Sequence, residues 1–380
     1  MVERRLRGAM IGGGFASFIG PVHRMAATMD GLGEFVGGVF SRDPDRSRAF
    51  GETLFLDPSR VHSSVDDLLS AELAFPEDQR IDFVTICTPN DSHYDAVCAV
   101  LDAGFHVICD KPVTQTLGEA RDLAQRVERS GLFFGLTHNY TGYPMVREAR
   151  NRIKNGELGR IHKVVVEYAQ GWLSPFLKNE DPKNNPWRMD PTRSGAVCTI
   201  GDIGTHGENL LRFVTGLSIE ALCADVHAFI PSNPLDDDSN ILLRLEGGVR
   251  GVLIASQVST GEENRLQIRV YGDKAGLFWS QEDPNYLTLS DVDGTTTTFS
   301  KGGPRLSSEA TSGGRLPAGH PDGFIEAFAN IYRDCFRGIG GEKTDVPTIY
   351  DGVRGLEFIE TVLASRNSTE KWTPWVTGPT

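Results

Sequence analysis

The sequence predicts an α/β chain in two parts: a doubly wound parallel sheet, then an α+β domain on a large open, mainly antiparallel sheet. Three observations carry this. Up to about residue 140, near-continuous apolar runs alternate with helical stretches, the pattern of parallel strands buried on both faces. Beyond it, five strand-like runs follow one another with hairpin signals and no helix between them. The length, 380 residues, exceeds what one ordinary core fills. The boundary is placed at residues 137/138, with the closing helices able to pack back on the first domain.

In order, "LRGAMIGGG" reads as a buried strand entering a glycine turn, followed by a helix near 20–31 and the strand "EFVGGVFS". The strand "IDFVTICTP", a helix over 91–103, the strand "FHVICDKP", a helix over 116–130 and the strand "LFFGLTHNY" complete the first domain. The second opens with a helix over 144–155 and the strand "IHKVVVEYAQGW", then a Pro/Asn/Asp-rich loop and the helix begun by "GDIGTHGENL". The five later runs are punctuated by "EGG", "GDKAG" and "DVDG". Residues 301–319, rich in Gly and Ser, read as a mobile flap, and helices near 321–338 and 348–365 close the chain.

A formal net charge of −13 repels phosphate backbones and anionic lipid heads, which argues against nucleic-acid and membrane partners. Six cysteines stand far apart in apolar surroundings, without Cys-x-x-Cys or metal spacing, and read as reduced core thiols; no metal site is expected. The basic N-terminus leads into an apolar run too short for a signal peptide, and no stretch reaches membrane-span length, so a cytoplasmic location is expected.

"GGGFAS" lies between a strand and a helix, the context a dinucleotide fingerprint requires. Gly12 permits the turn, Gly14 lets backbone approach a pyrophosphate at the helix N-terminus, and Phe15 and Ala16 line the same turn. Ser17 replaces the third glycine and is small enough to keep helix and strand close. At the tip of the second strand stand Ser41 and Arg42, set to meet the adenosine end or a 2′-phosphate; Asp43 follows. "CTPNDSH" places Thr88, Pro89, Asn90 and His93 at another carboxyl strand end, where ligands of such sheets bind. A plain capped turn accounts for Asp91. "DKP" brings Asp110 and Lys111 to the next strand end, with Lys111 held extended by the following proline. "THNY" supplies Asn139 to the cofactor edge and Tyr140 to the substrate side.

Asp202 and His206 are four apart, on one face of a helix beginning. The other reading is a helix cap with a stray histidine. A helix N-terminus favours an anionic Asp202 and disfavours a charged imidazole, and neutral histidine is the form a general base requires. Gln170 and Trp172 alternate onto one strand face, where an amide reads hydroxyl pairs and an indole stacks on a sugar ring. Arg188 lies in the loop before the helix, and His320 just ahead of a closing helix. His62, His106, His138, His162 and His227 receive no role.

"GGGF", "CTPNxxH", "DKP", "THNY" and "GDxGTH", in this order along the whole chain, resemble the glucose–fructose oxidoreductase/inositol 2-dehydrogenase (Gfo/Idh/MocA) family, with the levoglucosan and glycoside 3-dehydrogenases the most similar branch. The resemblance implies that Lys111 matches the family's motif lysine and that Asp202 and His206 match its Asp-x-x-x-His pair. It strengthens Gln170, Trp172 and Arg188 as substrate contacts. It implies NAD rather than NADP, and oxidation of a secondary hydroxyl, at C3, of a sugar, glycoside, anhydrosugar or cyclitol. His206 takes the hydroxyl proton, Asp202 orients it or a neighbouring hydroxyl, and Lys111 stabilises the developing alkoxide. Asp110 stands where the family pattern has Glu, a departure expected to alter packing. The alternative is an NAD-dependent glycosidase that oxidises transiently, eliminates the aglycone, adds water and re-reduces, with Arg188 selecting an anionic sugar. A homodimer or homotetramer through the open sheet is expected.

Overall fold

The computed structural model describes residues 4–376. The chain divides into two compact units: one runs to Asn139 and takes in Phe328–Val353, and the other holds Tyr140–Ala327 with the segment from Arg354 on.

In the first unit the elements alternate: β1 Leu6–Gly12, α1 Ile19–Thr28, β2 Gly33–Val39, α2 Pro44–Thr53, β3 Val61–His62, α3 Val65–Ala74, β4 Phe83–Cys87, α4 His93–Asp102, β5 His106–Cys109, α5 Leu117–Ser130 and β6 Phe134–Leu136. The six strands form one sheet, ordered β3-β2-β1-β4-β5-β6, and every pair is parallel. Its central strands are buried on both faces, Phe83, Val84 and Ile86 completely. That explains their unbroken apolar runs. Helix starts are set locally: Asp43 caps α2 ahead of Pro44, Ser64 caps α3, and Thr116 with Glu119 forms a capping box on α5. Sequence reading passed over α2, β3 and α3, because α2 is mostly polar and β3 only two residues long.

The second unit contains α6 Pro144–Lys154, β7 Ile161–Ala169, α7 Pro191–Ser194, α8 Thr205–Thr215, β8 Ile219–His227, β9 Asp238–Leu245, β10 Arg250–Ser256, β11 Arg265–Gly272, β12 Ala275–Ser280, β13 Tyr286–Asp291, β14 Thr296–Ser300 and α9 Ser308–Gly313. The chain ends in α10 Phe324–Ile339, α11 Ile349–Arg366 and β15 Thr373–Pro374. Nine strands form a sheet ordered β14-β13-β12-β11-β7-β10-β9-β8-β15, antiparallel except for the pair β7–β10. Alternation is strict in β9, where Ser239, Ile241, Leu243 and Leu245 are buried and Asn240, Leu242 and Arg244 exposed. Helix α8 covers the buried face over β7, β10 and β11. Gly207 permits that approach, since a Cβ there would stand 3.3 Å from Leu253 Cδ1. The parallel pair places the carboxyl ends of β7 and β10 at the same sheet edge as the start of antiparallel β11.

The Gly/Ser-rich stretch after β14 is anchored, contrary to the expected mobile flap. The ammonium of buried Lys301 donates to Leu316 O (3.2 Å), His320 O (2.8 Å) and Asp322 Oδ1 (3.1 Å). Glu148 accepts the Ser307 N–H at 2.7 Å, and Arg152 donates to Arg305 O at 3.0 Å. Composition recorded the glycines but not the buried ion pairs that hold them.

All six cysteines are free thiols, four of them buried. Among the described residues no helix is long and apolar enough to cross a membrane, and no group of side chains could hold a metal ion.

Candidate functional site

The carboxyl edge of the parallel sheet carries the nucleotide motifs. Gly12 and Gly13 have φ of +91° and +71°, a region open to glycine. A Cβ on Gly14 would lie 2.4 Å from Phe40 O, so the turn closes over the end of β2 only because no side chain is there. The small residue that lets α1 meet β1 is not Ser17 but Gly20, whose Cβ would fall 2.5 Å from Gly13 Cα. Ser17, one residue ahead of the α1 N-cap Phe18, accepts the Gly20 N–H on its Oγ at 3.0 Å. Phe15 and Ala16 are exposed. Ser41 Oγ accepts the Asp43 N–H at 3.1 Å, Asp43 caps α2, and Arg42 is exposed.

Two buried polar atoms at this edge, Thr88 Oγ1 after β4 and Asn139 Nδ2 beyond β6, have no hydrogen-bond partner among the described residues. Buried polar groups are rarely left so. With the glycine turn they fit a polar ligand laid along the strand ends, as NAD would be. His93 stands apart from that role: it is 1% exposed, and its ring nitrogens meet Thr88 O and Pro112 O, each at 2.9 Å. It ties the β4 and β5 loops together from beneath rather than offering its ring to a ligand.

Asp110 organises the lysine motif. Its Oδ1 accepts the Lys111 N–H (3.0 Å) and the Thr137 hydroxyl (2.7 Å). His23 Nε2 lies 3.8 Å from Oδ2, beyond hydrogen-bond length. Burial alone would raise the carboxyl's pKa, but His23, Lys111 and Thr137 outweigh it and hold the group below the ordinary carboxylate range. His23 continues inward through Tyr332 OH (2.8 Å) to Thr85 Oγ1 (2.9 Å). Sequence reading gave His23 no place, because its partners come from α10 and β4.

In the second unit a π-helical turn over Ile200–Gly204 runs directly into α8. Such turns insert one residue into a helix and recur at functional sites. The N-cap is Thr199, so Asp202 lies inside the helix and is not its cap. Asp236 clamps the approach: its two oxygens accept the N–H groups of Cys198 and Ile200, each at 2.7 Å. Burial pushes the Asp236 pKa up to about 6 despite those bonds.

Asp202 Oδ2 receives Gln257 Nε2 at 2.8 Å and Arg188 Nε at 3.1 Å. Arg188 also lies over the Trp187 ring, 4.7 Å from its centroid. His206 is buried, edge-on to Tyr140 with ring centroids 4.8 Å apart. Beside them runs a wall of amides. Gln257 Nε2 also donates to Gln170 Oε1 (3.1 Å), and Gln170 Nε2 donates to Asn264 Oδ1 (2.6 Å), which accepts Tyr168 OH as well (2.7 Å). Since the Tyr168 proton goes to Asn264, the short Tyr140–Tyr168 bond is donated by Tyr140. Burial pushes the Tyr140 hydroxyl up to about 12. Its proton is directed to Tyr168, so the Tyr140 hydroxyl buttresses the wall.

Two other expectations change. Strand β7 ends at Ala169, and Trp172, 38% exposed, stands in the turn beyond it, so it does not share a strand face with Gln170. The turn is forced by Gly171, whose N–H donates to Glu262 O at 2.8 Å and whose Cβ would press on Ser259 O at 2.8 Å. His320 is exposed, and it is its backbone carbonyl that Lys301 holds. Gln257, Asn264 and Tyr168 were missed. Gln170, Gln257 and Asn264 extend the inward registers of β7, β10 and β11 past the strand ends. Three polar residues on the core parity at one edge were the signal.

Two family models match the chain: an oxidoreductase-family NAD-binding Rossmann fold over residues 6–138, and a GFO/IDH/MocA C-terminal domain over residues 146–278. The chain belongs to the Gfo/Idh/MocA family. Its first unit is accordingly an NAD-binding Rossmann domain. Within the family, the uncharacterized oxidoreductase YfiI of Bacillus subtilis is 30% identical, covering 98% of this chain and 97% of its own. A levoglucosan dehydrogenase of Pseudarthrobacter phenanthrenivorans is 27% identical over 56% of this chain and 59% of its own. An inositol dehydrogenase homolog of Azotobacter vinelandii, solved with NAD+, superposes with a TM-score of 0.92 at 33% identity, covering 98% of each chain. Its complex with NADH and myo-inositol gives a TM-score of 0.90 at 32% identity, again over 98% of each chain.

Proposed function

We propose that this oxidoreductase oxidises a secondary hydroxyl, at C3, of an uncharged sugar, glycoside, anhydrosugar or cyclitol. The observation that carries the reading is the amide wall of Gln170, Gln257 and Asn264, bonded to Asp202 on a π-turn-led helix, with His206 of that helix packed on Tyr140 and Tyr168 of the same wall. Amides present donors and acceptors side by side, which suits vicinal hydroxyls. NAD, when bound, supplies the hydride acceptor. His206 takes the hydroxyl proton, Asp202 orients it or the adjacent hydroxyl, and Lys111 opposes the charge on the developing alkoxide. Arg188 is already engaged by Asp202, and an anionic substrate reaching it would meet that carboxylate, so neutral substrates are favoured.

The test is a panel of neutral polyols, glycosides and inositols with NAD, followed as NADH absorbance beside phosphorylated and carboxylated counterparts. NADH formed in proportion to ketone supports the reading. Product without net NADH identifies the redox-assisted glycosidase, and a preference for the anionic counterparts overturns the neutral-substrate assignment.

The open face of the large sheet supports self-association. Leu242, Val252, Val165 and Phe278 continue one apolar row across four strands of that face, interrupted by Arg269. The next row presents Asp225, Asn240, Ile254 and Glu167, and the opposite flank Arg244, Arg250 and Lys163. Two copies laid face to face, one reversed, bring acidic rows onto basic ones. A dimer or tetramer mass in light scattering, reduced by L242R, is the expected result; a wild-type monomer refutes it.

A further inference from the structure

Gln257 is fully buried, directly after β10, and every polar atom of its side chain is engaged. Its Oε1 accepts the Thr199 hydroxyl at 2.9 Å and faces Cys198 Sγ at 4.0 Å. Its Nε2 faces two acceptors, Asp202 Oδ2 and Gln170 Oε1. The amide therefore has one orientation. Rotated by half a turn, its oxygen would oppose a carboxylate and a carbonyl, and its NH₂ would lose both acceptors. The fixed amide also sets the wall's direction, because Gln170, having accepted from Gln257, must turn its NH₂ toward Asn264.

We propose that Gln257 is the positioning residue of this site: it holds the Asp202 carboxylate toward the reacting position and dictates which way the amide wall presents its donors. This rests on the dehydrogenase reading above. Gln257 acts through Asp202 and Gln170, not on substrate. The charged and titratable groups around it are Asp202 with Arg188 upon it, Cys198 on the segment leading to the π turn, Asp236 and Asp237 on the loop before β9, and His206 and Tyr168 beyond the wall.

Two variants test it. Q257L keeps the volume and removes the donors, and should lower kcat/KM about 10- to 100-fold without changing the NADH dissociation constant. Q257E sets a second carboxylate against Asp202. Burial and like charge raise its pKa, and once protonated it donates to Asp202 as the amide does. Its activity relative to wild type should therefore recover as pH is lowered, which a purely structural role would not produce. Thermal melting supplies a readout independent of turnover. The Tm deficit of Q257E should grow as pH rises, and should grow less when Q257E/D202N is compared with D202N, where only burial remains to oppose ionisation. A wild-type pH profile in Q257E, or a Tm deficit indifferent to Asp202, overturns the proposal. Absence of NADH formation by the wild type with every polyol would instead remove the dehydrogenase reading, and the melting series would still decide the coupling.

Discussion

The two units build the edges proposed to meet ligand from different material. The first uses mainly backbone, strand ends and glycine φ angles, with Thr88 and Asn139 the buried polar side chains left for a ligand and Asp110 and His93 spent on holding the loops. The second uses side chains, with Gln170, Gln257 and Asn264 converging from strands far apart in sequence upon Asp202. A backbone site is spelled by short contiguous motifs, because its requirement is where no side chain can be. A side-chain site is spelled by single residues whose proximity only the sheet register supplies.

Changes confined to one edge should leave the other's measurements alone. The largest effect is expected for H206A, which should lower kcat by about 10²–10⁴ while NADH affinity stays at the wild-type value. Full kcat in this variant would end the general-base assignment. The rate of wild-type oxidation should rise with pH as the imidazole loses its proton, and H206A should lose that rise.

The carboxylates of the two units should titrate stability in opposite directions. Asp236, with its folded pKa near 6, binds a proton more readily folded than unfolded. Its contribution is full below an unfolded pKa of about 3.9 and fades as pH rises through the folded value, a loss on the order of 2–3 kcal/mol. Asp110, held low, contributes above its unfolded pKa and loses that contribution as pH falls through the folded one. Denaturant unfolding of wild type, D236N and D110N across the acid range checks both signs. The wild-type advantage over D236N should shrink with rising pH and that over D110N should grow; equal slopes would refute the contrast.

The smallest effect sharpens the backbone side. G14A places a Cβ against Phe40 O, where 2.4 Å is available. NADH binding should weaken about tenfold or more, ~1.4 kcal/mol, measured by fluorescence titration. Unchanged affinity would show that the turn yields without cost.

Legibility in the sequence followed the same division. Alternation of buried strands and helices and the positions of Gly12, Gly14 and the "DKP" turn could be read because each requirement is local. Gly20 holds the close approach expected of Ser17, since only coordinates show which residue α1 presses against β1. The inserted residue at Ile200–Gly204 carries no composition mark beyond its glycines. Gln257, His23 and Lys301 were invisible for a common reason: each acquires meaning from a partner distant in sequence, and a lone buried Gln, His or Lys looks like any other.

His23 and Tyr332, bonded across 309 positions, have a consequence for how the molecule is made. The Rossmann unit is discontinuous: Phe336 packs on Phe83, and Leu136 N–H is received by Pro347 O, from a segment translated after most of the other unit. A nascent chain on the ribosome thus holds an unfinished nucleotide unit, with His23 and Phe83 uncovered, until residues near 353 emerge. The first unit to begin folding is not the first able to finish, and a chain released early by a nonsense codon before α10 would present that uncovered surface to chaperones and proteases.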